Sequence, residues 1–66
     1  MPFVSIRILE GHSQERKQEI TRRVTDAISE VAQVPRDAVL VVFEDVSLDD
    51  WFVGGRSLRA IRSAPS

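Results

Sequence analysis

Residues Ala38 to Phe43 read AVLVVF, an almost unbroken apolar run too short for a buried helix and rich in β-branched side chains. Such a run suits a strand whose two faces both leave water, as parallel strands joined through a helix usually do. Its partner is legible at the other end of the chain. Phe3 to Leu9 (FVSIRIL) places Val4, Ile6 and Ile8 on one face at period two, with Phe3, Ser5, Arg7 and Leu9 on a mixed second face. Between the two lies one helical pattern, in which Ile20, Val24, Ala27, Ile28 and Val31 form a single stripe from Ser13 to Gln33. Ser13 is a suitable N-cap, and Glu15 puts a negative charge in the first turn. The reverse face carries Glu19, Arg22, Arg23, Asp26 and Glu30, with Glu19 and Arg23 in the favourable i, i+4 order, and reads as solvated. Pro35 pushes Val34 out of helical geometry, and Arg36 and Asp37 fill a short turn.

Strand, helix and strand make one right-handed β-α-β crossover. A sheet with apolar side chains on both faces then has one helix to cover it, and a helix covers one face. The other face requires a second chain. Length points the same way, since 66 residues make at most one domain with little apolar area to set against chain entropy. The chain has no cysteine for a disulfide or a thiolate site, and its one histidine cannot form a structural zinc site alone, so self-association is the remaining source of stability. The expected fold class is α+β: a β-α-β unit with two parallel strands and one long helix, completed by oligomerisation. After a polar stretch to Asp50, Trp51-Phe52-Val53-Gly54-Gly55 suits a short C-terminal hairpin. Residues 59–66, with Arg59, Arg62 and Ala-Pro-Ser, are expected to be a mobile tail of the single domain 1–66.

Nine basic and ten acidic residues give a net charge of −1, which offers no electrostatic attraction to nucleic acid or to an anionic membrane. No apolar run approaches membrane length, and Ser5, Arg7 and Glu10 interrupt any leader-like segment, so a cytoplasmic location is expected. Glycine-rich phosphate loops, close acid pairs and Ser/His/Asp sets are absent, and no cofactor or metal is expected. The N-terminus remains. Methionine before proline is ordinarily trimmed, which would expose Pro2 as a secondary amine. Amines of this kind have reference pKa values of roughly 7.7 to 8.0, so a modest downward shift gives a neutral general base that can also attack carbonyls. Proline at position two is common, however, and alone carries no function.

A wider pattern surrounds it. Pro2 leads directly into a strand; Ile8-Leu9-Glu10-Gly11 precedes a helix opening Ser13-Gln14-Glu15-Arg16-Lys17; Val34-Pro35 precedes the second strand; Glu44 follows, then an aromatic and Gly54-Gly55. Over residues 2 to 58 this combination resembles the 4-oxalocrotonate tautomerase family. The resemblance implies a homohexamer built as a trimer of dimers, with the proline at the base of a pocket shared between subunits. It also implies proton transfer between a dienol oxygen and a carbon, on a small unsaturated 2-oxo or 2-hydroxy acid such as a 2-hydroxymuconate. Three pocket positions depart from the family. His12 stands where members carry an arginine, Leu40 where many carry a second, and Trp51 where the best-known members have phenylalanine. Two guanidinium forks suited to a dicarboxylate are thereby lost. His12 is either a hydrogen-bond donor in the pocket or a solvated loop residue, while Leu40 and Trp51 suit apolar walls. Replacement cations are sought among Arg7, Arg36, Arg56 and Arg59, with Arg36 and Arg56 foremost because they lie beside elements that border the family's pocket. Other readings are a different proline-dependent reaction, hydration or dehalogenation of an unsaturated acid, and a binding module that kept the fold without the chemistry.

Overall fold

The structure is a computed structural model and describes residues 2–64. Strand β1 (Phe3–Leu9) runs into helix α1 (Gln14–Ala32), a 3₁₀ turn follows at Arg36–Ala38, and β2 (Leu40–Val46) returns parallel to β1. A hairpin of β3 (Phe52–Val53) and β4 (Arg56–Ser57) and a short helix α2 (Leu58–Ser63) complete it. The expected β-α-β unit, single long helix and C-terminal hairpin are all present.

Local chemistry accounts for the boundaries. Ser13 is the N-cap of α1, its Oγ accepting from the Arg16 N–H at 3.1 Å. The helix ends at Gln33, which adopts the left-handed conformation (φ 57°, ψ 50°) and donates its N–H to the Ser29 carbonyl. Strand β2 begins two residues later than expected, because Ala38 belongs to the 3₁₀ turn, and continues three residues further. Its charged end is held in the ladder by pairs: Glu44 meets Arg7 from β1 at 2.8 Å, and Asp45 meets Lys17 from α1 at 2.8 Å. Lys17 also lies 6.0 Å from the centre of the Phe43 ring, so its stem covers the sheet while its ammonium reaches Asp45. The two-residue hairpin turn is Gly54-Gly55, with φ of 60° and 81°; consecutive positive values are what a primed turn between twisted strands needs.

The expected mobile tail is replaced, as far as Ser63, by helix α2. Ser57 caps it through Oγ to the Ala60 N–H, and the turn before the hairpin anchors it through Arg59 to Asp49. Pro65 and Ser66 lie outside the described residues. The helical stripe also needs correction. Thr25 is buried and Val24 and Ile28 are half-buried, but Ala27 is exposed and Val31 is 84% exposed. At 3.6 residues per turn, the face α1 lays on the sheet is rotated by about 60° from the centre of the apolar stripe. One apolar edge of the helix is left uncovered.

Among the described residues no apolar side chain is buried. On the sheet face away from α1, Phe3 (64% exposed), Leu40 and Val42 (44% each) stand open beside the Arg7–Glu44 pair. The radius of gyration is 15.6 Å, against about 11 Å for a compact domain of this length. The chain is more extended than a self-contained domain of its length. No helix among the described residues is long and apolar enough to cross a membrane.

Candidate active site

The parallel register sorts the candidate residues into two groups. At the N-terminal end of the strand pair, Pro2 is half-buried and its carbonyl accepts the Leu40 N–H at 3.0 Å, extending the ladder one residue beyond β1. The pyrrolidine ring is therefore on a residue whose own carbonyl is fixed by a hydrogen bond. Leu40 opens β2 on the face away from α1, beside Phe3. Arg36 lies in the 3₁₀ turn just before β2 and forms an ion pair with Asp26 of α1.

His12 and Trp51 lie at the opposite end. His12 follows the last residues of β1, and Trp51 follows β2 after the Ser47–Asp50 turn. Seven strand residues at about 3.3 Å each separate Pro2 from His12 by roughly 23 Å. Within one chain these groups cannot act on the same small molecule.

Two cavities open at the C-terminal end. Trp51 lines one of about 390 Å³ together with Arg7, Glu44, Val46, Asp50 and Phe52. The indole supplies an apolar wall, while the Arg7–Glu44 pair makes the opposite side polar. His12 lines the other, about 330 Å³, together with Arg16, Glu19, Ile20 and Arg23 of α1. Of these only His12 is singled out by the sequence. The signal that could have marked Arg16 is its place as the third residue of α1, where a capping box favours Glu or Gln.

The arginines differ in their commitments. Arg7 is taken by Glu44, Arg36 by Asp26, and Arg59 by Asp49, whose hydrogen bond raises the Arg59 pKa beyond its usual range. Glu19 accepts from Arg22 and from Arg23, and these hydrogen bonds lower its carboxyl to about 2. Arg56, exposed on β4, and Arg16 have no side-chain partner among the described residues, and Arg56 lines neither cavity. Among those residues no three His, Asp or Glu side chains gather as a metal site.

The sequence and the fold have relatives of known class. The model of a family described as "Tautomerase enzyme" matches residues 2–61. A probable tautomerase of Bacillus cereus is 36% identical over 58 residues, covering 88% of this chain and 95% of that protein. TomN, a 4-oxalocrotonate tautomerase homologue of the tomaymycin biosynthetic pathway, superposes with a TM-score of 0.94 at 35% identity, covering 98% of this chain and all of the other. A heterohexameric 4-oxalocrotonate tautomerase from Chloroflexus aurantiacus gives a TM-score of 0.87 at 34% identity, covering 94% of this chain and all of the other. With the strand that Pro2 leads, the single crossover helix and the glycine-turned hairpin all in place, the chain belongs to the tautomerase enzyme family.

Proposed function

We propose that the protein is a cofactor-independent tautomerase that interconverts enol and keto forms of small unsaturated 2-oxo acids, with Pro2 as the general base. The observation that carries this reading is the position of Pro2. Its carbonyl is tied into the ladder by Leu40, so the backbone holds the amine in place without any further group. Removal of Met1 makes that nitrogen a free secondary amine; neutral, it takes the enol proton and returns it to carbon in the conjugated ketone. Proton in and proton out balance on one group, so the step needs no redox partner.

The site is completed between chains. The separation of Pro2 from His12 and Trp51 along the strand pair, the absence of any buried apolar side chain among the described residues, and the open face of Phe3, Leu40 and Val42 support self-association. A hexamer is the assembly proposed, and the heterohexameric relative favours it. In it Leu40 forms an apolar wall near the amine of its own chain, with Trp51 and His12 supplied by neighbours. Hydration or dehalogenation would require a water-activating acid and paired cations around Pro2; among the described residues Arg36, the cation at that end of the strand pair, is already paired with Asp26.

The test is Pro2→Ala in protein shown by mass to lack Met1. Turnover of enol substrates should fall by about a hundredfold or more, the size of a general-base contribution, with the assembly unchanged. Full activity in Pro2→Ala would place the base elsewhere, and absence of turnover in the wild-type protein across mono- and dicarboxylic enols would favour a binding module.

A further inference from the structure

We propose that Arg16 binds the substrate carboxylate in the cavity it shares with His12, and so selects acids with one charged end. The proposal rests on the reading above, in which the His12 end of one chain meets Pro2 of another.

The cavity of about 330 Å³ has the composition of a site for an amphipathic anion. Ile20 offers an apolar surface, and its two guanidinium groups outnumber its one carboxylate. That carboxylate is already committed. Glu19 takes the Arg23 Nε at 2.8 Å and two Arg22 nitrogens at 2.6 and 3.1 Å. Those three hydrogen bonds come from Arg22 and Arg23, and none comes from Arg16. The Arg16 guanidinium has no hydrogen-bond or ion-pair partner among the described residues, and it lies four residues from the His12 imidazole along the same cavity wall. Guanidinium and imidazole together present a fork and a further polar edge to a carboxylate.

Arg16 is also the wrong residue for its local structure. It is the third residue of α1, where the helix dipole disfavours a cation and where Glu or Gln would complete a capping box with Ser13. The cap needs only the Arg16 backbone N–H, and the fold gains nothing visible from the side chain. A local rule broken without structural compensation, on the wall of a cavity, marks a group kept for a ligand. Arg7, Arg36 and Arg59 are each paired, and Arg56 lines neither cavity. One uncommitted guanidinium on the cavity wall, beside the apolar surface of Ile20, fits a substrate that is a carboxylate at one end and apolar at the other.

The variants are Arg16→Gln and Arg16→Lys in the full chain. For the enol of phenylpyruvate, Arg16→Gln should lower kcat/KM by about tenfold or more, chiefly through KM, and Arg16→Lys should lose less. The methyl ester of the same substrate, which lacks the charge, should change by less than about twofold. Equal losses on acid and ester would reduce Arg16 to a structural role, and unchanged turnover of the acid would overturn the proposal. A second arm does not depend on turnover. Cinnamate, an unreactive aryl acid, is titrated while the arginine Nε–H resonances are followed by NMR. Saturable binding should persist in Pro2→Ala and weaken by about tenfold or more in Arg16→Gln. If the wild-type protein turns over no enol, the catalytic reading fails while this titration still decides Arg16; cinnamate that binds Arg16→Gln as tightly as wild type, or not at all to either, refutes the carboxylate site.

Discussion

Val42 offers the sharpest test of how the sheet is completed. It lies mid-strand on the face away from α1, opposite Ser5 of β1, and is 44% exposed in the single chain. Full burial of a valine contributes roughly 1.5–3 kcal/mol, so covering the exposed fraction is worth about 1 kcal/mol per copy. Val42→Ala forfeits most of that and should weaken the subunit contact by about fivefold per copy. Val42→Glu goes further. In the separated chain its carboxylate is solvated, whereas in the assembly it is buried without a partner at a cost of several kcal/mol, and association should weaken by about a thousandfold or more. Neither change touches the helix-facing side of the sheet. Sedimentation velocity over a dilution series reads the association, and far-UV circular dichroism of the same samples reports whether the chain keeps its helix. Enol turnover should fall with the assembled fraction, because the proposed site joins the Pro2 end of one chain to the His12 end of another. A Val42→Glu protein that assembles like wild type would show that this face stays in water, and the layer count would be wrong.

Other consequences are open to direct measurement. Leu40 removes a guanidinium from the ladder position beside Pro2, so kcat/KM for a dicarboxylic enol should exceed that for an aryl monocarboxylic enol by about tenfold or less, and Leu40→Arg should raise the ratio; a preference of a hundredfold in the wild-type protein would contradict this. Gln33→Gly relieves a left-handed residue at the end of α1 and should stabilise by about 1 kcal/mol, seen as a rise of about 4–8 °C in Tm at fixed protein concentration; an unchanged or lower Tm would refute it. Glu19 has a folded pKa of about 2, below its ordinary value of 4.5, so its ion pairs add stability at neutral pH that is lost as pH falls from 4.5 through 2. Glu19→Gln should therefore flatten the acid limb of the stability profile, and an unaltered limb would show that the pairs do not persist in solution.

Elements set by neighbouring residues were readable from the sequence. Ser13 as cap, the period-two strand from Phe3 and the paired glycines of the hairpin each depend on chemistry within a few positions. The rotation of α1 was not readable, because local periodicity places the apolar stripe on the helix but does not say which face the crossover turns to the sheet. Thr25 became the buried residue while Val31 was left outside. The extension of β2 through Glu44 and Asp45 was hidden for a similar reason: their charges are tolerated in a strand only because Arg7 and Lys17, 37 and 28 residues away, arrive beside them. The ion pair of Arg36 with Asp26 likewise depends on how the crossover returns. The cavity at His12 is an intermediate case. Its residues are close in sequence, but only the folded chain shows that Arg16, Ile20 and His12 share a wall.

The length of the strand pair bears on how such a protein can evolve. Pro2 and the His12 cavity lie at opposite ends of β1, so each chain in a shared-site assembly owns halves of two different sites. After a gene duplication, one copy could lose its proline and still lend its cavity to a sister that kept the base. The sister could remodel its cavity for another acid without disturbing its own proton transfer. Reaction and recognition would then be inherited on separate genes, each defective alone, and drift in one would be constrained only by the end of the other that it meets.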